Sequence, residues 1–264
     1  MNILIIGSGA REHAFAWKIH NSKSDVNIYV TNPNAGMIDI VTPLNIDINN
    51  FNLIKESIIQ HEISLVLVGP EIPLIIGITD FIYKDKDLDD VKVIGPSKLG
   101  AKLEGSKEFA KNFMNKYNIP TGSYKSFTRD TLNEGVNFIK NNNPPYVLKA
   151  DGPAAGKGVI IVNNEEEAVS NLKDMLINSK FGASSQTVII EEFLSGIEMS
   201  CFVLFDGLNY KILPYAKDYK RIGEGDSGLN TGGMGSVSPV DFLNDDLKSK
   251  ITKEIIEPTI KGLI

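Results

Sequence analysis

The chain is long enough for two domains, because it has 264 residues of which 42% are hydrophobic and can therefore bury a large core. Its 27 Lys and Arg residues against 33 Asp and Glu give a formal net charge of −6, which argues against a nucleic-acid partner. The single Cys201 lies in an apolar run, which excludes a disulfide framework and favours a core residue in a reducing compartment. No segment approaches the length of a membrane span and no basic leader precedes the first apolar run, so we expect a cytoplasmic protein without a membrane partner.

The first hundred residues predict a parallel sheet. Short apolar runs at 2–6, 26–30, 64–68 and 91–94 alternate with stretches long enough for crossover helices. That alternation is typical of a sheet with helices on its faces. We therefore predict one doubly wound, Rossmann-like unit in this half of the chain.

The segment GSGAREHA follows the first of these runs and begins a helix, at the position where Rossmann-type units bind phosphate. It is a poor dinucleotide fingerprint, because Glu12 replaces the third glycine and no acidic residue ends the second run. Arg11 at a helix N-terminus suits a phosphate or carboxylate ligand. His13 fits a packed helix residue as well as it fits a ligand.

A second unit is predicted to begin near Leu103. Ser106 can cap a helix that Pro120 stops, and the apolar side of this helix consists of Phe109, Ala110, Phe113, Met114 and Tyr117. Apolar runs at 146–150, 158–162, 187–192, 199–205 and 210–215 predict strands around one helix near 165–176, with Asp206-Gly207 as a hairpin turn. This half is expected to be an α+β domain with antiparallel pairs.

The run KADGPAAGKG, from Lys149 to Gly158, lies between two of these predicted strands and so predicts a hairpin tip. Gly152, Gly156 and Gly158 can adopt positive φ and let backbone N–H groups approach an anion closely. Lys149 and Lys157 add positive charge, so the loop is suited to close over a triphosphate. The alternative is a solvated turn with a surface lysine. A P-loop is disfavoured by the glycine spacing and by the strand that follows.

A second glycine-rich segment, residues 223–235, holds almost no large apolar side chain. We predict a functional loop here, and a disordered surface loop is the alternative. The neighbouring cluster Lys217, Asp218, Lys220 and Arg221 favours the functional interpretation in an acidic protein.

Several motifs together give the chain a resemblance to a known family. They are GSGAREHA, the Asn34-Ala35-Gly36 turn, VGPEIPL at 68–74, LEGSK at 103–107, KADGPAAGKG, IEEFLSGIE at 190–198 and LNTGGMG at 229–235. In this order they resemble the ATP-grasp ligases and, among these, the phosphoribosylamine–glycine ligase family of purine biosynthesis. The resemblance implies an α/β fold with a Rossmann-like substrate-binding domain at 1–102. It also implies an α+β ATP-grasp domain at 103–264, incomplete at its C-terminus, with a mobile lid lobe at about 121–188.

The resemblance also implies roles for individual residues. The catalytic set is Lys107, Lys149, Asp218, Lys220 and Arg221. The ATP-binding set is Lys107, Lys149, Gly152, Gly156, Lys157, Gly158, Glu191, Glu192, Phe193, Leu194 and Glu198, with residues 191–194 at adenine and Glu198 at ribose. The substrate-binding set is Gly9, Arg11, Glu12, Asn34, Gly36, Gly69, Pro70, Glu71, Thr231, Gly232, Gly233, Met234 and Gly235.

The implied reaction joins glycine to 5-phosphoribosylamine with ATP and Mg²⁺ (or Mn²⁺) through a glycyl phosphate, and the protein is expected to be a monomer or weak homodimer. The family's metal ligands are expected beyond Ile264, so no metal ligand is predicted within these residues and the chain alone is expected to be inactive. Pro153, Tyr219 and Leu229 depart from the residues frequent in the family. Lys149→Ala is expected to weaken ATP binding without unfolding the protein, because its charge would pair only with the ligand.

Three alternatives stay open. Another ATP-grasp ligase would share the lysines and the adenine-contacting segment. A nicotinamide-dependent oxidoreductase would use the N-terminal unit alone. A non-catalytic nucleotide-binding module would bind ATP without turnover.

Overall fold

A computed structural model of the chain describes residues 1–22, 25–154, 157–225 and 227–264. It divides into two compact units, Met1–Gly105 and Ser106–Ile264. Each unit encloses its own hydrophobic core.

The N-terminal unit is built on a five-stranded parallel sheet with the strand order β3-β2-β1-β4-β5. The strands are β1 Asn2–Ile6, β2 Asn27–Thr31, β3 Thr42–Leu44, β4 Leu65–Val68 and β5 Lys92–Ile94. The helices are α1 Ala10–His20, α2 Phe51–Gln60, α3 Glu71–Ile76, α4 Ile78–Lys84 and α5 Lys98–Gly105, with 3₁₀ turns at Ile38–Ile40 and Lys86–Leu88. The predicted doubly wound unit is confirmed.

Strand β1 is central because both of its faces are apolar. Leu4 and Ile6 enter the core shared with α2 and α4, whereas Ile3 and Ile5 enter the core on the α1 side. Strand β3 was not predicted. It is a three-residue edge strand containing Pro43, and proline is tolerated at an edge where no ladder N–H is needed.

The C-terminal unit contains a four-stranded antiparallel sheet in the order β6-β9-β7-β8, with two helices packed on one face. Its strands are β6 Tyr124–Thr128, β7 Tyr146–Ala150, β8 Val159–Val162 and β9 Thr187–Glu191. Its helices are α6 Lys107–Lys116, α7 Leu132–Lys140 and α8 Glu165–Ile177, with 3₁₀ turns at Arg129–Thr131 and Gly182–Ser185. Ser106 caps α6 as predicted, since its hydroxyl accepts from the Phe109 N–H at 3.0 Å.

The predicted helix near 165–176 is α8, whereas β6 and α7, which precede the first predicted strand of this unit, were not predicted. Gly135 in the middle of α7 lowers helix propensity, which hides the helix in the sequence. A Cβ at this position would lie 2.8 Å from Leu172 Cδ2 of α8. The glycine therefore lets the two helices approach closely.

Two hairpins and a helical segment complete this unit. Strands β10 Val203–Phe205 and β11 Tyr210–Ile212 are joined by a turn in which Asp206 Oδ1 accepts from the Leu208 N–H. Strands β12 Lys217–Gly223 and β13 Ser227–Val237 form an antiparallel pair with Lys217 opposite Val237. The loop predicted at 223–235 was wrong, since most of it is β13. Helix α9 Asp245–Ile251, a π-helical segment Thr252–Ile256 and α10 Glu257–Leu263 follow.

Pro258 lies inside the last helical stretch of the chain. It lies in the first turn of α10, directly after the π-helical segment. Ile256 and Glu257 already have helical backbone angles, so the proline lies within a continuous helical stretch, and the π-helical segment before it is where the regular α-helical pairing is interrupted. Within the part of the chain that the structure describes, no helix combines the length and apolar character needed to cross a bilayer.

Candidate functional site

The carboxyl ends of the parallel strands surround a cavity of about 280 Å³ in the N-terminal unit. Its wall is formed by loops that follow β1, β2, β3 and β4. The lining residues are Gly7, Ser8, Gly9, Glu12, Thr31, Asn32, Asp47, Ile48 and Pro70. Open parallel sheets bind ligands at this edge, where the strand order reverses direction.

Glu12 is a buried carboxylate that holds this edge together. It is 3% exposed and accepts hydrogen bonds from the Gly9 N–H at 2.7 Å and from Arg11 Nε at 3.0 Å. A Cβ at Gly69 would lie 1.9 Å from Glu12 Oε1, so the carboxylate fills the space that this glycine leaves. Glu12 therefore supports the loops on either side, and its predicted contact with substrate stays a prediction.

Other residues of the predicted substrate-binding set lie around the same edge of the sheet. Asn34 donates from Nδ2 to the Ser8 carbonyl at 2.9 Å and accepts from the Gly36 N–H at 3.0 Å. His13 packs against Gly36, where a Cβ would lie 2.4 Å from the imidazole. Arg11 is exposed, with Nη2 4.0 Å from Glu71 Oε2. Pro70 adjoins Gly69 in the loop after β4.

In the C-terminal unit, sheet register places Lys149 and Glu191 on one face. Leu148 and Ala150 of β7 and Ile190 of β9 belong to the core under α7 and α8. Because side chains alternate along a strand, Lys149 and Glu191 point to the opposite face. Val147 lies opposite Glu191, so Lys149 is the diagonal neighbour of Glu191 and lies within reach of it.

The Glu191 carboxylate is bound by two lysines. Lys149 Nζ donates to Oε1, and Lys111 Nζ of α6 lies 3.0 Å from Oε2. Burial by itself raises the pKa of Glu191, but the hydrogen bonds from Lys149 and Lys111 outweigh burial and lower the pKa below its ordinary range. The expectation that the charge of Lys149 pairs only with ligand was wrong, because the carboxylate is its partner in this structure.

Lys107 is held at the start of the glycine-rich hairpin by backbone contacts. Its Nζ donates to the carbonyls of Asp151 at 3.3 Å and Gly152 at 3.4 Å. Asp151 Oδ1 in turn accepts from Ser106 Oγ at 3.1 Å and from the Glu108 N–H at 2.7 Å. The first turn of α6 and the loop after β7 are thereby joined through one carboxylate.

The hairpin formed by β7 and β8 is confirmed, but its described glycines do not have the predicted positive φ. They are needed for space instead: a Cβ at Gly152 would lie 2.8 Å from Ser184 Oγ, and one at Gly158 would lie 2.7 Å from Ala154 Cβ. Lys157 is exposed at the tip. Gly156 of the predicted ATP-binding set, like the side chain of Leu229, lies outside the described residues.

The predicted adenine-contacting segment follows β9 directly. The Glu192 N–H donates to the Ser123 carbonyl at 2.8 Å, and the Glu192 carboxylate accepts from the Ser123 hydroxyl at 3.1 Å. Phe193 and Leu194 are exposed. Glu198 lies further along and pairs with Lys220.

The hairpin formed by β12 and β13 brings the remaining predicted residues together. Lys220 Nζ lies 3.2 Å from Asp218 Oδ2, and Asp218 Oδ1 is buried without a hydrogen-bond partner. The Thr231 hydroxyl donates to the Lys220 carbonyl at 2.7 Å. Arg221 lies opposite Asn230. The rest of this set, on β13, is Gly232, Gly233, Met234 and Gly235.

Comparison with known families accounts for the whole chain. The model of the phosphoribosylglycinamide synthetase N domain matches residues 1–104, and the model of the ATP-grasp (A) domain of the same synthetase matches residues 105–264. The chain belongs to the phosphoribosylglycinamide synthetase family.

Individual members of the synthetase family are similar over the full chain. Phosphoribosylamine–glycine ligase of Haemophilus influenzae is 42% identical over 265 residues, which is 100% of this chain and 60% of that protein. The bifunctional purine biosynthetic protein PUR2,5 of Pichia angusta is 42% identical over 267 residues, or 33% of its length. The chain thus spans 60% or less of these two relatives.

Solved structures agree with the synthetase assignment. Phosphoribosylamine–glycine ligase of Thermotoga maritima matches with a TM-score of 0.80 and 34% identity, over 99% of this chain and 61% of that one. The biotin carboxylase domain of Hydrogenobacter thermophilus 2-oxoglutarate carboxylase matches with a TM-score of 0.72 at 17% identity, over 99% and 58% of the two chains. The second match shows the shared fold alone.

Two residues of the candidate site, Lys111 and Asp151, were not predicted from the sequence. Lys111 lies one helical turn after Lys107, and this i, i+4 spacing was the available signal that both face the same way. Asp151 was visible as part of KADGPAAGKG, directly after the strand that carries Lys149. Among the residues with described positions, no group of three or more His, Cys, Asp or Glu side chains could hold a metal ion.

Proposed function

We propose that the protein to which this chain belongs ligates glycine to 5-phosphoribosylamine, using ATP and giving glycinamide ribonucleotide, ADP and phosphate. The supporting observation is that both halves match one synthetase family, while Lys107 Nζ contacts the backbone that follows β7, the strand that carries Lys149. The proposed reaction takes place in the cytoplasm and uses small-molecule substrates.

The chemistry proceeds in two balanced steps. A carboxylate oxygen of glycine attacks the γ-phosphorus of ATP, and the bond from that phosphorus to the β–γ bridging oxygen breaks, leaving glycyl phosphate and ADP. The amine of phosphoribosylamine then attacks the carbonyl carbon of glycyl phosphate. Phosphate leaves with the electron pair of the broken C–O bond, the amine loses a proton, and the amide remains. Neither step needs a covalent bond to the protein.

The lysines supply positioning and charge in the first step. Lys107 and Lys149 bind the phosphates of ATP, where cations stabilise the charge spread over the transferring group. Gly152, Gly158 and Lys157 close over the triphosphate and keep water from the acyl phosphate. When ATP binds, the Lys149 ammonium has to contact both the Glu191 carboxylate and the nucleotide phosphates.

The nucleoside binds along the segment after β9. Phe193 and Leu194 are exposed residues, and in this proposal their backbone N–H and C=O groups bind the adenine edge. Glu198 accepts from the ribose hydroxyls, which requires its ion pair with Lys220 to open. Lys220 then becomes available to the reacting groups together with Asp218 and Arg221.

The acceptor substrate binds at the sheet edge of the N-terminal unit. Gly9 lines the cavity there, Asn34 donates to the carbonyl of the lining residue Ser8, and Arg11 lies 4.0 Å from Glu71. Arg11 is the exposed cation suited to the phosphate of phosphoribosylamine. Mg²⁺, or Mn²⁺, accompanies ATP in this proposal. The described residues do not form a complete metal site, so no step is assigned to metal ligands of this chain.

The proposal is tested by following ADP and glycinamide ribonucleotide made by the full-length protein. Both products should appear only when glycine and phosphoribosylamine are present together with Mg·ATP. Equal ADP release with a different carboxylate and amine pair would contradict it in favour of another ATP-grasp ligase.

The 264-residue chain alone should bind Mg·ATP in a calorimetric titration without forming glycinamide ribonucleotide. Formation of that product by the chain alone would contradict its proposed inactivity. Failure of a folded sample to bind ATP would contradict the proposed nucleotide site.

A further inference from the structure

A lysine is the buried residue of α6. Lys111 is 7% exposed, although the flanking residues Ala110 and Asn112 are half-buried and exposed, respectively. Burying an ammonium is costly unless it is paired and hydrogen-bonded. The stability of this buried charge therefore depends on the groups that surround it.

The Lys111 ammonium has a full set of partners. It donates to Thr121 Oγ1 at 2.7 Å and to the Gly122 carbonyl at 3.1 Å, and it pairs with Glu191 Oε2 at 3.0 Å. Its Nζ also lies 5.4 Å from the ring centroid of Tyr124. One ammonium thereby links α6, the segment before β6 and the end of β9.

Glu191 divides its two oxygens between two lysines. Oε2 takes Lys111, while Oε1 takes Lys149. Lys149 has a side chain 26% exposed, compared with 9% for Lys111. Lys149 is therefore the partner that a ligand can reach, and Lys111 is the one that stays with the carboxylate.

We propose that Lys111 is a positioning residue: it holds the Glu191 carboxylate in place, so that Glu191 in turn orients the Lys149 ammonium toward the phosphates of a bound nucleotide. This inference rests on the proposed ATP site. Without Lys111, a Lys149 drawn toward phosphate would leave Glu191 as a buried, unpaired anion, which is unfavourable. Lys149 would then be retained by Glu191, and phosphate binding would weaken.

The test compares Lys111→Met with Lys111→Arg in the full-length protein by calorimetric titration of ATP and of adenosine. Lys111→Met should weaken ATP binding by about tenfold or more and adenosine binding much less, because Lys149 acts on phosphates. Lys111→Arg, which keeps the charge, should restore most of the ATP affinity. An equal loss for both ligands would mean a merely structural role and would overturn the proposal.

The pathway through Glu191 is tested in a Glu191→Gln background. In that background, Lys111→Met should cause no further loss of ATP affinity, since the carboxylate through which Lys111 acts has been replaced by a neutral amide. An undiminished additional loss would overturn the proposal. Ile139→Ala, in the core under α7, is the control for destabilisation at a distance and should leave ATP affinity unchanged.

Should Lys111→Met fail to fold, Thr121→Val removes one hydrogen-bond acceptor of Lys111 while keeping the side-chain shape. This variant should fold and should lower ATP affinity more than adenosine affinity, and unchanged ATP affinity would overturn the proposal. Wild-type protein that does not bind ATP would instead refute the proposed function itself, so the two failures are distinguishable.

Discussion

The tight contact between Gly69 and Glu12 predicts a large loss of stability from adding one methyl group. In Gly69→Ala, the new Cβ would lie 1.9 Å from Oε1, 2.5 Å from Cδ and 2.6 Å from Cγ of Glu12. Ordinary heavy-atom contacts lie at about 3.5 Å, so the carboxylate has to move by roughly 1.5 Å. A shift of that size breaks its 2.7 Å hydrogen bond from the Gly9 N–H.

The expected magnitude follows from these two effects. Overpacking a filled site costs about 1–3 kcal/mol, and losing a hydrogen bond to a charged, buried group costs about 1.5–3 kcal/mol. Together they lower the free energy of unfolding by about 2.5–6 kcal/mol, which reaches the upper end for a single substitution.

Urea unfolding followed by tryptophan fluorescence measures this loss of stability. The signal reports on the N-terminal unit, which contains Gly69, because the chain's single tryptophan, Trp17, lies on α1 of that unit. Gly100→Ala is the matched control. Gly100 lies on helix α5, and an added Cβ would lie 3.2 Å from Pro96 Cβ. Because Ala favours a helix, the free energy of unfolding should stay within about 1 kcal/mol of wild type.

A double-mutant cycle separates the collision from other causes. In a Glu12→Ala background the space beside Gly69 is open, so Gly69→Ala should cost much less than it does in wild type. If Gly69→Ala behaves like Gly100→Ala, or costs as much with Glu12 removed, the assigned role of Glu12 is wrong.

Three further predictions concern the C-terminal unit. Asp151→Ala should lower the free energy of unfolding by about 1–2 kcal/mol, because the first turn of α6 loses the carboxylate that accepts from the Glu108 N–H, and should also weaken ATP binding; Asn164→Ala, which uncaps α8, should match the first effect in denaturation and show no change in ATP titration. Glu191→Gln should destabilise the protein at neutral pH. Because the pKa of Glu191 is lowered in the folded protein, the wild-type carboxylate becomes protonated as pH falls below 4.5, and the difference in stability between wild type and variant should shrink in denaturant titrations. A difference that stays constant with pH would contradict the ion-pair assignment. Leu148→Ala, at a fully buried position, should cost about 2–5 kcal/mol in the same titrations, and a loss below 1 kcal/mol would contradict the described core.

Local signals predicted much of this fold. Ser106 caps α6, the β7–β8 hairpin carries the glycine-rich run, and the first hundred residues form a parallel sheet. Each of these depends on neighbours in sequence or on an apolar period, which a single chain displays directly. The elements that the sequence did not reveal depend on partners distant in sequence. The glycine-rich β13 is a strand because β12 pairs with it, and α7 packs closely on α8 at Gly135.

The candidate site divides in the same way. From its residues alone, this sequence determined that a glycine-rich run with lysines at both ends follows one strand, and that a GxG turn follows another. Tertiary structure alone decided that Lys149, Glu191 and Lys111 meet, because β9 lies between β6 and β7 and places side chains 42 positions apart on one face. Strand order and register are long-range properties, and burial of Lys111 is stable only when its distant counterion is in place.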